Sequence, residues 1–186
     1  MNMMWFVIVV LGIIIILLLW VGVSYNSLVG MRNKVNNSWS QIAVQLKRRF
    51  DLIPNLVETV KGYATHERET LNAVTEARTK YMSATTPQDM MNANHEMTQV
   101  LGRLFAVSEA YPDLKANVNF LELQAELSKT EDKISFSRQF YNDVVMEFNN
   151  AVQMFPTNIL AGVFNFKGAV FFQTEEAENA VPQVKF

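Results

Sequence analysis

His66-Glu67 and His95-Glu96 are the residue pairs in this chain that most resemble the start of a catalytic motif. Each begins like HExxH, in which two histidines one helical turn apart bind zinc and the glutamate acts as base. The second histidine position is Thr70 in one and Gln99 in the other, so neither completes the motif. A di-iron carboxylate site needs Glu-x-x-His, and three residues before the two histidines stand Tyr63 and Asn92. Both histidines are therefore read as surface or helix-edge residues, with a joint metal site open only if the fold brings them side by side. The chain has no cysteine, which excludes disulfides, thiolate catalysis and sulfur-ligated zinc. It contains neither a glycine-rich phosphate loop nor a nucleophile elbow. The run Lys129-Thr130-Glu131-Asp132-Lys133 reads as a solvated face with local ion pairs. We expect no enzyme activity, no cofactor and no metal.

The elements that would position any site are helices. From Ser38 to Ala64, Trp39, Ile42, Leu46, Phe50, Ile53, Val57, Val60 and Ala64 recur at spacings of three and four, one apolar stripe with charges behind it. Pro54 interrupts it: a helix should bend or restart there, with Asp51 as a possible cap. The stripe goes on through Leu56, Val60, Ala64, Leu71, Val74, Arg78 and Tyr81 to the turn cluster Ser83-Ala84-Thr85-Thr86-Pro87, so helix one is predicted over 25–84, bent near Pro54. Gly62 lies inside it, at a cost of up to about 1 kcal/mol relative to alanine. Thr86-Pro87 opens a second helix, whose stripe is Met90, Asn94, Met97, Leu101, Leu104 and Ser108, ending at Tyr111-Pro112. A third begins at Asp113 with the stripe Phe120, Leu123, Leu127, Ile134, Ser137, Tyr141, Val145, Phe148, Val152 and Phe155. It is long enough to lie antiparallel along the first, and Phe155-Pro156 stops it. The aromatics on these stripes favour core packing over a cofactor box, and the methionines of helix two favour gap-filling over an adaptable binding face.

Met3 to Val23 holds no charged or strongly polar residue. Its 21 positions make about 31 Å of helix, a match to the hydrocarbon thickness of a bilayer. A cleaved signal peptide would need a basic start, a shorter apolar core and a small-residue cleavage site, none of which is here. Trp5 near one end, and Trp20 with Tyr25 near the other, suit the interfaces. Arg32 and Lys34 follow the span closely, which predicts a cytoplasmic C-terminal domain. Residues 24–50 carry +5 and the remainder −7, within a net charge of −2. Lys47, Arg48 and Arg49 would lie about 36 Å past the span on a continuous helix, beyond the roughly 8 to 10 Å reach of headgroup charge. The pI near 5.7, with no clustered basic excess, argues against nucleic acid. We divide the chain into an anchor over 1–24, a helical bundle over 25–156 and an aromatic tail over 157–186. The tail, NILAGVFNFKGAVFF before an acidic end, is too short and broken for a second span. It either closes the bundle as a short helix or strand, or presents Phe164, Phe166, Phe171 and Phe172 to another subunit or to the membrane interface.

Two blocks carry a resemblance: YNSLVGMRNKVNNSWSQIAVQLKRRFDLIPNLVETVKGYATHE from Tyr25 to Glu67, and YPDLKANVNFLELQAELSKTEDKISFSRQFYNDVVMEFNNAVQMFP from Tyr111 to Pro156. In order and spacing, behind a short anchor, they resemble the LemA family. Phe50 stands where that family commonly has a polar or histidine residue, and Phe140 is a second minor departure. The resemblance implies an all-α protein, an elongated antiparallel helical bundle on a single transmembrane helix, in the bacterial envelope. It brings no catalytic residues. It implies an assembly or adaptor role, with links to membrane organisation and to membrane-embedded zinc metalloproteases of the HtpX type. The well-marked positions are Trp39, Gln45, Arg48, Arg49, Asp51, Pro54, Asn55, Tyr63, Glu67, Pro112, Phe120, Glu131, Tyr141, Asn142, Phe155 and Pro156, which suit shape and interface better than chemistry. The expected function is a self-associating scaffold at the inner membrane, held by lipid contacts of its N-terminal helix. The alternative is an adaptor or regulator of such a protease, reached through the polar face around Arg48, Arg49 and Asp51.

Overall fold

With no proline before Pro54 and an uninterrupted run of helix-compatible residues, one helix, α1, extends from Asn2 to Lys61 in the computed structural model. The structure describes residues 2–64 and 66–172; the acidic end of the predicted tail lies outside them. The remaining elements are α2 (Arg68–Ser83), α3 (Pro87–Ser108), the single turn α4 (Pro112–Lys115), α5 (Val118–Gln153) and α6 (Thr157–Val163), with no strand among the described residues. The all-α class predicted from the sequence holds. An 18-residue window of α1 reaches a mean hydropathy of 3.3 with none of it buried in the chain, long and apolar enough to cross a membrane.

The chain divides into two compact units, and α1 and α5 each contribute to both. One comprises Trp39–Gln139 with Phe172. Apart from the single turn α4, its helices α1, α2, α3 and α5 alternate in direction. Arg48 and Tyr63 on and just after α1 pair with Glu126 and Asn117 at the start of α5, so these two run antiparallel. Phe50 of α1 stacks on Tyr81 of α2, Lys80 of α2 pairs with Glu96 of α3, and Phe105 of α3 meets Phe120 of α5 edge to face. The predicted stripes supply most of the core: Ile42, Leu46, Phe50, Ile53, Val57, Val60, Leu71, Val74, Met97, Leu101, Leu104, Phe120, Leu127 and Ile134 are all buried, whereas Trp39 and Leu123 are partly exposed and on α3 Met91 is buried in place of Met90.

The other unit comprises Met1–Ser38 with Phe140–Phe171. Beyond the apolar run, its core gathers Leu28 and Val35 of α1, Tyr141, Val144, Val145 and Phe148 of α5, Leu160 and Ala161 of α6, and Phe166. α6 ends in a Schellman arrangement: the Phe166 N–H donates to the Ala161 carbonyl at 2.8 Å and the Asn165 N–H to Gly162 at 3.3 Å. Asn165 takes the left-handed conformation this cap requires, at φ 54°. Buried Phe166 and Ala161 supply the apolar contact that accompanies such caps.

Helix one differs from its prediction at its far end. It continues through Pro54, but it does not reach residue 84, because the chain leaves the helix after Lys61 through Gly62, Tyr63 and Ala64 and returns as α2. The stripe keeps its phase through this turn, so periodicity alone cannot separate a rod from a hairpin. At Pro54 the helix loses the N–H that would bond the carbonyl four residues back, that of Phe50. Arg78 on α2 takes its place, its Nε donating to the Phe50 carbonyl at 3.4 Å. Pro54→Ala is expected to stabilise the protein by up to about 2 kcal/mol, after allowing for the stiffer unfolded chain that proline confers. Arg78→Met should cost about 1 kcal/mol in the native chain and clearly less beside Pro54→Ala, where the new N–H occupies that carbonyl. Chemical unfolding of the detergent-solubilised variants measures the cycle; purely additive costs would remove the carbonyl from the explanation.

The third helix also begins later than predicted. Asn117 resets the chain after α4, its side-chain oxygen accepting from the Phe120 N–H at 3.0 Å as an N-cap. At the other end α5 stops at Gln153, two residues before Phe155, so Phe155 leaves the stripe it was assigned to and is 80% exposed.

Candidate functional site

The two histidines do not form a joint metal site. His66 precedes α2, whereas His95 adjoins Glu96, which pairs with Lys80, about 18 Å along α2 from Arg68. Among the described residues no group of three His, Cys, Asp or Glu side chains is placed to hold a metal ion. His95 meets Gln99 one turn on, at 2.8 Å.

Of the polar face around Arg48 to Asp51, the helix presents only part outward. Arg48 reaches Glu126 at 2.8 Å, and Lys47 pairs with Asp51 one turn on, all at the surface. Lys129 first, and Arg48 second, hold the Glu126 carboxyl below the usual carboxylate range. Arg49 turns inward, 4% exposed. Its Nη1 donates to Asn94 Oδ1 at 2.6 Å and to Thr98 Oγ1 at 3.0 Å, both on α3. Glu131 Oε2 lies 2.8 Å from the same nitrogen. The two hydrogens of that nitrogen are committed to α3, so the approach of Glu131 is an ion pair and not a hydrogen bond. Arg49 Nε, Glu131 Oε2 and Gln45 Oε1, one turn before Arg49, are buried without a hydrogen-bond partner in the protein. Burial lowers the Arg49 pKa, and the charge of Glu131 opposes that shift. Asn94 stood on the predicted stripe as an amide between Met90 and Met97, the sequence signal for a buried polar partner.

At one end of this unit two polar pairs join the turn between α1 and α2 to the residues flanking α4. Tyr111 O–H donates to Glu67 at 2.9 Å, and Asn117 donates to the Tyr63 hydroxyl at 2.9 Å. Pro112 sits between them as the first residue of α4. Trp39, half-buried, lies 6.4 Å from the ring of buried Phe172, over which Arg138 places its guanidinium at 5.8 Å.

Hydrogen bonding to Glu67 raises the Tyr111 pKa, and burial raises those of Tyr81 and Tyr141, from an ordinary value of 10.0. Each phenol is therefore better accommodated neutral in the folded state. Their contribution is complete below pH 10 and is lost as pH climbs through the raised folded values. Unfolding free energy measured against pH should fall on that alkaline limb, and Tyr111→Phe should flatten part of the fall. An unchanged limb in that variant would separate Tyr111 from it.

In the other unit the aromatic tail is half absorbed. Phe166 packs inside, its ring 5.8 Å from that of Tyr25 and capped by the Arg32 guanidinium at 5.2 Å. Phe164 also meets Tyr25, at 4.8 Å, yet stays partly exposed, as does Phe171. The extended stretch after α6 is held by α5. Asn149 both donates to the Ala169 carbonyl at 2.9 Å and accepts from its N–H at 2.8 Å, as a neighbouring strand would, and Tyr141 O–H donates to Val170 at 2.8 Å. A Cβ at residue 168 would meet Asn149 Oδ1 at 3.0 Å, so the close approach asks for Gly168. Tyr141 was singled out from the sequence; Asn149 was not, because an asparagine on a helix flank gives no sign of a distant backbone partner. Pro156 sits just ahead of α6.

The apolar N-terminal helix, the broken first stripe and the Tyr25–Glu67 and Tyr111–Pro156 blocks can now be set beside known proteins. The LemA family model matches residues 38–186. This chain belongs to the LemA family. It is 29% identical over 176 residues to Protein LemA of Metamycoplasma hominis, covering 89% of this chain and 79% of the relative. It is also similar to Magnetosome protein MamQ 2 of Paramagnetospirillum magneticum, at 25% over 179 residues. Magnetosome protein MamQ of Magnetospirillum gryphiswaldense matches at 22%. In both magnetosome matches the alignment covers 82% of this LemA-family chain and 66% of the relative.

Proposed function

We propose that this protein is a non-enzymatic, membrane-anchored helical scaffold that self-associates, with its bundle on the cytoplasmic side of the inner membrane. The observation that carries the reading is α1 itself: its apolar run finds no cover in the chain, and the same helix continues to Lys61, supplying core residues on the way. Membership of the LemA family and similarity to magnetosome proteins fit a membrane-associated protein without catalysis. Self-association is supported by large apolar side chains left exposed on the helices, Phe136 of α5 at 74% above all. The cytoplasmic side follows from Arg32 and Lys34 after the span. Light scattering of the gently extracted full-length protein should give a mass of several copies, reduced by Phe136→Ser. A monomeric mass would sink the scaffold, and protease access to the bundle from outside intact spheroplasts would reverse its side.

A further inference from the structure

We propose that residues 154–166, around α6, form a second membrane contact that lies in the headgroup–acyl boundary beside the point where α1 leaves the bilayer. The inference rests on the reading of α1 as an anchor. Its first support is depth. Phe164 touches Tyr25, which is two residues and about 3 Å of helix beyond Val23, where the apolar run ends. The interfacial layer of one leaflet is roughly 5 to 7 Å thick, so Phe164 stands within it.

The second support is what this segment exposes. On α6, Leu160 and Ala161 are buried, while Ile159 and Val163, one turn apart, are exposed on a common face. Met154 and Phe155 ahead of the helix and Phe164 behind it are exposed as well. In water this would be an unexplained apolar patch; at the depth of Tyr25 it is an amphipathic element of the interfacial kind.

Charge selects lipid over a second copy of the chain as the occupant. No acidic residue stands between Glu147 and Glu175, so nothing in the segment repels anionic headgroups. Lys167 is exposed next to it, and Arg32 lies over Phe166. Cation and aromatic ring at the end of an apolar surface are what a headgroup layer accommodates best.

The absence of cysteine makes the test direct. Single variants Ile159→Cys, Val163→Cys, Asn37→Cys and Leu11→Cys of the full chain would each carry one environment-sensitive fluorophore, in phosphatidylcholine–phosphatidylglycerol vesicles containing nitroxide-labelled lipid. Asn37 is exposed and about 21 Å beyond Val23 along α1, the aqueous reference. Circular dichroism matching the parent protein shows that each variant is folded. The proposal expects shallow-nitroxide quenching at Ile159 and Val163 several-fold stronger than at Asn37. Quenching no stronger than at Asn37 overturns it, and so does an apolar emission shift without quenching, which would mean cover by a second copy. Deep-nitroxide quenching at Leu11 tests the anchor separately, so its failure there is told apart from failure at α6.

Discussion

Phe50→Ala is expected to lower the unfolding free energy by about 3 to 5 kcal/mol, the range for removing a large aromatic from a packed core. Phe50 is fully buried, and its ring lies 3.8 Å from that of Tyr81 at an angle of 4°. The rings are parallel and stacked, which adds an aromatic contribution of about 1 kcal/mol to the larger loss from burial and cavity. The residue also binds two helices through one backbone unit, since its carbonyl receives Arg78. Phe50→Leu keeps most of the volume and should cost about 1 to 2 kcal/mol. As water reaches the cavity, the raised pKa of Tyr81 should move back toward 10, because burial is its first cause. Chemical unfolding and tyrosinate absorbance read the two effects. A loss below about 1 kcal/mol for Phe50→Ala would mean that the site collapses without a cavity.

The second large effect is asymmetric. Glu131→Gln removes the carboxylate that pairs with Arg49 and leaves a cation 4% exposed, at an expected loss of about 3 kcal/mol. The partly exposed carboxylate of Glu131 keeps the figure toward the low end of the range for broken buried pairs. Arg49→Met removes the cation itself and should cost less, about 1 to 3 kcal/mol, chiefly by leaving Asn94 Oδ1 without its donor. Replacing Arg49, Asn94 and Glu131 together by apolar residues of similar volume should recover most of the loss. The depressed pKa of Arg49 points the same way, since burial disfavours the cation more than Glu131 restores it. What the polar node contributes in return is registry. One guanidinium ties α1 to α3 and α5 at a single level, which an apolar seam would not specify. A Glu131→Gln variant as stable as the parent would dismiss the pair as a structural element.

How much of this could be read beforehand differs residue by residue. Ile42, Leu46, Phe50 and Ile53 face the core as their spacing requires, because a residue's place around a helix follows from its number alone. Thr86-Pro87 opens α3 for an equally local reason, the Thr86 hydroxyl accepting from the Asp89 N–H at 3.1 Å. Pro54 was expected to bend the helix without ending it and Gly62 to be a tolerated cost inside it; the helix does continue through the first but ends just before the second. The deciding partner of Pro54 is Arg78, which lies 24 positions away and is adjacent only after α2 folds back.

The same division holds for the interaction surfaces. Arg48, Arg49 and Asp51 share a stretch of α1, and their numbers could not tell which would point at α3; burial of Arg49 depends on Asn94 and Thr98 arriving there. Phe164 and Phe166 are two residues apart in one aromatic tail. The left-handed turn at Asn165 sends Phe166 inside and leaves Phe164 at the rim beside Tyr25. Composition and periodicity alone determined the helical class, the apolar span and the buried faces, since these depend on each residue's own chemistry and its near neighbours. The hairpin at Gly62, the inward Arg49 and the level of α6 beside Tyr25 were decided by the tertiary structure, because each is an equilibrium between groups far apart in the chain that only packing brings together.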